Sequence, residues 1–274
     1  MKNADIRLVV CDMDGTLLDD KGSITEENKQ AIAALKAKNI DFTIATGRMI
    51  QMVQEYVRQL DLTSPMICCN GGFVGTIEKP LFTKSFSASV AKQLLEYFTE
   101  ENLDYVVYTP ACLLKAPNSE RVQTYYNYNK LAEQGGSTPI PIFEIKELDR
   151  HGGFENILKF LICEYNESKL STVTKYINAI AGVNGELSMP YLLDIMPEGI
   201  TKGAGIPTLC DYYKIRPDQI CAFGDQVNDI SMLKAVGLSF CMENGGDLAK
   251  EAAMHITSSN KESGVAEAIR KYIL

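Results

Sequence analysis

The chain has 274 residues, 46% of them hydrophobic, enough for one large α/β domain or two smaller domains with packed cores. A formal net charge of −8 leaves no basic face, which argues against nucleic acid and an anionic membrane surface as partners. Eight scattered cysteines with no C-x-x-C spacing and no secretory signal read as reduced thiols of a cytoplasmic protein, and two histidines far from any cysteine pair argue against structural zinc.

The first third alternates strand and helix signals in the order of a parallel sheet with crossover helices. Residues 7–11 form a buried-type strand. Thr25 is placed to N-cap a helix reaching about Lys38, with Glu26 and Glu27 at its positive end. Residues 41–46 are the second strand, and the stripe Met49, Met52, Val53, Tyr56, Val57 and Leu60 makes 49–60 helical. A third strand over 66–70 is turned by Gly71-Gly72 into a short hairpin over 73–82. Beyond residue 83 the pattern changes to helix 88–101, strand 105–108, a long polar stretch marked by Gly and Pro, strand 157–163 and helix 169–181. This block, residues 84–190, reads as an α/β domain inserted into a parent whose two halves are 1–83 and 191–274. The parent sheet resumes with a strand at 191–196, a Thr201-capped helix to Tyr213 and a strand at 219–223. A helix at 229–236, a strand at 238–241, a short helix near 246–253 and a helix at 264–273 close the chain. The fold expected is α/β: a Rossmann-like, doubly wound parallel sheet core carrying an inserted α/β domain.

Asp12-Met13-Asp14-Gly15-Thr16 directly follows the first strand, where open α/β sheets bind their ligands. Two aspartates at i and i+2 there can divide labour, Asp12 as nucleophile and metal ligand, Asp14 as proton carrier for the leaving group. Like charges so close disfavour double ionisation, so one carboxyl keeps a proton near neutral pH. Gly15 lets the backbone turn closely around a phosphate. A calcium loop of the EF-hand kind is excluded by the preceding strand and by Ser23 where a bidentate Glu would stand. At the end of the next strand, Thr46-Gly47-Arg48 offers a hydroxyl, a backbone N–H and a fixed positive charge to the same anion. Lys202, in Thr201-Lys202-Gly203, sits at a helix start where a cation calls for an anionic partner. Gly224-Asp225-Gln226-Val227-Asn228-Asp229 again follows an apolar strand. Asp225 can complete a magnesium site with Asp12, and Asn228 can orient phosphate or substrate. Asp229 is a further ligand, a support for one, or simply the acid of its helix, and the residues leave those alternatives open.

With these four segments in place, the sequence resembles a haloacid dehalogenase-like hydrolase of the Cof type over essentially its whole length. The family's four motifs match Asp12-x-Asp14-Gly15-Thr16, Thr46-Gly47-Arg48, Lys202-Gly203 and Gly224-Asp225-x-x-Asn228-Asp229, and Asn70-Gly71-Gly72 resembles a family turn near the site. The inserted block matches the family's α/β cap in place and length. The resemblance implies a phosphatase acting on a small phosphorylated metabolite, commonly a sugar phosphate. In it Asp12 forms an aspartyl-phosphate, Asp14 serves as acid and then base, and Lys202 and Thr46 stabilise the phosphoryl oxygens. Mg2+ is held by Asp12, the Asp14 carbonyl and Asp225. A phosphomutase would use the same chemistry, and a non-catalytic ligand-binding module could keep the fold. A membrane pump is dismissed, since no stretch approaches the length of an apolar membrane helix. Arg121, Tyr125, Tyr126 and Tyr128 could shape a pocket in the cap, and a monomer is expected.

Overall fold

Leu8–Cys11 is a run of four apolar residues with every side chain buried, and it forms β1. A strand buried on both faces belongs in a parallel sheet covered by helices. The computed structural model describes residues 5–274. After β1 come α1 (Glu26–Ala37), β2 (Asp41–Ile44), α2 (Gln54–Leu60), β3 (Met66–Cys68), β4 (Phe73–Gly75) and β5 (Pro80–Thr83). There follow α3 (Ala88–Glu100), β6 (Asp104–Tyr108), β7 (Leu113–Lys115), α4 (Val122–Gln134), β8 (Ile142–Glu144), β9 (Lys159–Cys163), α5 (Glu167–Asn178), β10 (Val183–Met189) and β11 (Leu192–Pro197). The chain ends with α6 (Ile206–Tyr213), β12 (Ile220–Gly224), α7 (Ile230–Lys234), β13 (Leu238–Met242), α8 (Asp247–Ala252), β14 (His255–Thr257) and α9 (Gly264–Tyr272). The Thr25 hydroxyl caps α1 as expected, accepting from Asn28 N at 3.3 Å.

These elements form two compact units, one of residues up to 47, 56–82 and 201–274, the other of residues 48–55 and 83–200. In the first unit a five-stranded parallel sheet runs β14-β13-β12-β1-β2, beside a three-stranded sheet β3-β4-β5. Cys11 pairs with Ile44 on one side and Phe223 on the other, so the carboxyl ends of β1, β2 and β12 lie level. That register sets Asp12, the residues after Ile44, and Gly224-Asp225 along one sheet edge. The chain leaves β1 toward β2 on one flank and returns to it through β12 on the other, the switch point at which such sheets bind ligands. Beneath that edge, Leu8, Val10, Ile206, Leu209, Ile220, Ala222, Met232 and Leu233 pack as one apolar core.

In the second unit a six-stranded sheet runs β10-β11-β9-β6-β7-β8, antiparallel except for β7 with β8. Period-2 alternation sends Tyr105, Val107, Phe160, Ile162, Leu193 and Ile195 into a core with α3 and α5, and Tyr108, Lys159 and Asp194 to the opposite face.

The sequence reading differs from this at four places. The strand expected at 191–196 in the parent sheet is β11, which pairs with β9 and β10 in the second unit. Its nearly continuous apolar run imitates a buried parallel strand, while its partner VNGELSM is polar and half-buried and gives no strand signal. The boundary expected between 190 and 191 therefore falls in the turn of this hairpin. The polar stretch after residue 108, given no element from the sequence, holds β7, α4 and β8; only Val122, Tyr125 and Ala132 of α4 are buried, too few for a clear stripe. The edge strand β14, three residues long, was not anticipated. The helix expected over 49–60 opens as a 3-10 turn at Ile50–Val53 before α2.

Candidate active site

The edge where β1, β2 and β12 end gathers the motif residues of the first unit. Asp12 continues β1 by one rung, its N–H donating to the Phe223 carbonyl at 3.0 Å. The loop after it needs glycine: Gly15 has φ +82°, and a Cβ there would lie 2.4 Å from Asp225 Oδ2. Gly71 is a second such place, with φ +101° and a virtual Cβ 2.1 Å from the Thr201 carbonyl. Asn70 N–H donates to the Thr46 carbonyl at 3.0 Å, and Thr46 N–H to Ile67 at 2.8 Å, so the β2 and β3 ends are stitched together.

Lys202 is at the centre, 1% exposed, its Nζ donating to Asp12 Oδ1 and Asp229 Oδ1, each at 2.6 Å. Asp229 Oδ2 accepts the backbone N–H groups of Asp225 and Gln226, both at 2.9 Å. Asp225 is held by Thr16, whose hydroxyl donates to Oδ1 at 2.8 Å, and by Gln226 Nε2 on Oδ2 at 3.1 Å. Two buried carboxylates thus share one ammonium, with a third beside them. Burial pushes the Asp12 carboxyl well up, Lys202 opposes that, and the neighbouring aspartates add to it. Burial and Asp229 likewise push Asp225 up, against the hydrogen bonds from Thr16 and Gln226. Lys202 is pushed higher still, because the attraction of Asp12 and Asp229 exceeds the burial penalty. A single lysine cannot neutralise three ionised acids, so their full ionisation calls for a further cation.

Carboxylate oxygens of Asp12, Asp225 and Asp229 lie within 4.8 Å of one another, close enough to share a metal ion. An all-oxygen donor set with excess negative charge fits a hard divalent cation such as Mg2+. The side chain of Asp14 is exposed and is not one of this trio. Asn228 is half-buried, its Nδ2 at 3.4 Å from Asn70 Oδ1, and Thr46 is buried while Gly47 is partly so. Arg48 belongs to the second unit.

Sequence reasoning missed three supports. Ser231 Oγ accepts from Gly203 N at 3.0 Å and anchors the turn carrying Lys202. Asn244 Nδ2 donates to the Gly15 carbonyl at 2.8 Å while its Oδ1 accepts from Asn260 N at 2.9 Å. Asn260 Nδ2 in turn donates to the Leu18 carbonyl at 2.8 Å, so two asparagines brace the loop that carries Asp12 and Asp14. Nothing in the sequence marks them: Asn244 before Gly245-Gly246 looks like an ordinary turn residue.

The sequence profile of the haloacid dehalogenase-like hydrolases matches residues 9–269. The chain is similar to the 5-amino-6-(5-phospho-D-ribitylamino)uracil phosphatase YwtE of Bacillus subtilis, with 30% identity over 95% of this chain and 96% of that one. A second phosphatase of that name, YitU of the same organism, is 27% identical over 97% of each chain. Among solved structures, a haloacid dehalogenase-like hydrolase from Bacteroides thetaiotaomicron superposes with a TM-score of 0.81 at 26% identity, covering 97% of this chain and 99% of that one. The match spans both units, as the four motifs led one to expect, and the chain belongs to the haloacid dehalogenase-like hydrolases, an enzyme family.

Proposed function

We propose that the protein is a magnesium-dependent phosphatase that hydrolyses a small phosphorylated metabolite, a sugar or sugar-alcohol phosphate, through an aspartyl-phosphate on Asp12. The observation that carries this reading is the buried grouping of Asp12, Lys202 and Asp225 at the carboxyl edge of the parallel sheet. Asp12 attacks phosphorus in line with the leaving oxygen. Asp14 gives that oxygen its proton, then takes one from the water that cleaves the acyl phosphate. Lys202 balances the charge of the transferring group, and Thr46, Gly47 and Asn228 donate hydrogen bonds to its oxygens. Asp229, with one oxygen on Lys202 and the other on two backbone N–H groups, fixes the lysine and the Asp225 loop rather than meeting the metal itself. Asp12, the Asp14 carbonyl and Asp225 would hold the magnesium, which would supply positive charge against the phosphate oxygens.

The similarity to phosphatases named for a phosphoribityl compound supports a polyol phosphate as substrate. Among the described residues no helix is long and apolar enough to cross a membrane, and all eight cysteines are free, as thiols are in a reducing compartment. The test is phosphate release from sugar, nucleotide and cofactor monophosphates, with magnesium or chelator, by wild type and Asp12→Asn. Release that needs magnesium and vanishes in the variant is expected; an isomerised ester without free phosphate would mean a mutase instead.

A further inference from the structure

Left-handed backbone at non-glycine residues falls mostly at helix ends. Asn39, Asp61, Asn102 and Lys214, with φ between +46° and +57°, follow the last turns of α1, α2, α3 and α6, where that conformation is ordinary. A different case is the connection between β3 and β4. There Cys69, Asn70 and Gly71 are left-handed in succession, at φ +51°, +52° and +101°. Among the described residues no other three in a row have positive φ. Two-residue hairpin loops use left-handed residues, filled by Asn or Gly, whereas longer loops like this one, residues 69–72, are most often built on right-handed type I turns. A non-glycine residue in this region is uncommon, and backbone strain persists where the surroundings impose it.

The surroundings of this turn are the candidate site. Asn70 is 1% exposed; its N–H donates to the Thr46 carbonyl at 3.0 Å, and its Oδ1 accepts from Asn228 Nδ2 at 3.4 Å. Asn228 Nδ2 carries two protons, and with one directed at Asn70 the other is left for a phosphoryl oxygen. Gly71 lies so close to Thr201 that a Cβ would stand 2.1 Å from its carbonyl oxygen and 2.8 Å from its carbonyl carbon. That carbonyl accepts the Ala204 N–H at 3.0 Å, closing the turn that carries Lys202. The same turn is gripped again at Gly203, where a Cβ would lie 2.5 Å from the Ser231 carbonyl oxygen. One hairpin loop therefore touches the segments of Thr46, Lys202 and Asn228, all within the first unit.

We propose that Asn70 is a positioning residue for phosphoryl transfer, and that the left-handed loop around it holds Asn228, the Thr46 backbone and the Lys202 turn in one arrangement about the transferring group. This rests on the phosphatase reading given above. Asn70 acts through Asn228 and Thr46, so its removal loosens the fit to the transition state more than it weakens the binding of substrate.

The experiment uses the full chain in magnesium, with para-nitrophenyl phosphate as substrate and orthovanadate as a five-coordinate inhibitor, in wild type, Asn70→Gly, Gly71→Ala and Asn39→Gly. Glycine at 70 accepts the left-handed backbone and lacks the carboxamide, so the contact to Asn228 goes without new strain. Asn39→Gly makes the same change after α1, before β2 begins. The expected result for Asn70→Gly is a cooperative unfolding transition like that of wild type, kcat lower by about tenfold or more with KM little changed, and vanadate inhibition weaker by a similar factor. Asn39→Gly should leave kcat and vanadate inhibition at wild-type values. Gly71→Ala, whose Cβ has to push Thr201 aside, should lose about 10²-fold in kcat. Wild-type kcat and vanadate inhibition in Asn70→Gly, or an equal loss in Asn39→Gly, would overturn the proposal while leaving the phosphatase reading intact. Absence of phosphate release by wild type from this ester and from the metabolite esters would overturn both.

Discussion

Each unit of the molecule buries a cluster of charges, and the two clusters are built on different arithmetic. In the first unit Lys202 is shared by Asp12 and Asp229 with Asp225 close by, three carboxylates to one ammonium. In the second, Lys159 Nζ meets Asp194 Oδ2 at 2.8 Å, one cation against one carboxylate, each almost fully buried. A buried pair roughly breaks even against an apolar pair of the same size, so it holds a fold in register without calling for anything else. A buried excess of one sign does call for something else. Three carboxylates around one ammonium at Asp12 are a demand for a further cation. Imbalance, more than burial, separates the groups that do chemistry from those that hold the scaffold.

Substitutions can break that contrast. The largest effect is expected from Asp12→Asn, which removes the nucleophile and should lower kcat by about 10⁴-fold or more in a phosphate-release assay, with the fold retained. Next is Lys202→Met, which leaves the Asp12 and Asp229 carboxylates without their cation. It should cost about 3–5 kcal/mol in denaturant unfolding without magnesium, and about 10²–10³ in turnover. Lys159→Met and Asp194→Leu should each destabilise by about 3–5 kcal/mol as single changes, yet come out near neutral when combined. A double variant as unstable as the two singles added together would show that the pair is not a balanced scaffold element. Magnesium at about a hundred times its Kd should stabilise wild type by about 2.7 kcal/mol in thermal unfolding, and Asp225→Asn should remove most of that gain. The smallest effect concerns thiols. Cys11, Cys68 and Cys221 are buried with their thiols pushed well up, and Cys241 is pushed up to about 11 by burial. Only Cys210 is partly exposed, so a disulfide reagent should modify one thiol quickly in the native protein and the other seven on unfolding.

Much of the first unit was legible in the sequence because its signals are local. A short apolar run followed at once by Asp-x-Asp-Gly or Gly-Asp marks a strand end, and the parallel register then brings Asp12 and Asp225 to one edge without further information. The role of Asp229 was not legible, since it depends on which atoms its two oxygens meet. Nor were Asn244 and Asn260, which brace the Asp12 loop from more than 200 residues away in sequence. The second unit was harder because its strands are antiparallel and partly exposed, so apolar runs are broken. Polar β10 was missed and apolar β11 was assigned to the wrong sheet for the same reason.

The central claim is that Asp12 takes the phosphoryl group. It is tested most directly by mixing wild type with a radiolabelled polyol phosphate in magnesium, quenching in acid within one turnover, and mapping the label. The account predicts label on the peptide containing Asp12, released by hydroxylamine as an acyl phosphate is, and absent from Asp12→Asn. Stable label on a serine or histidine, or the same acyl label formed by Asp12→Asn, would contradict it.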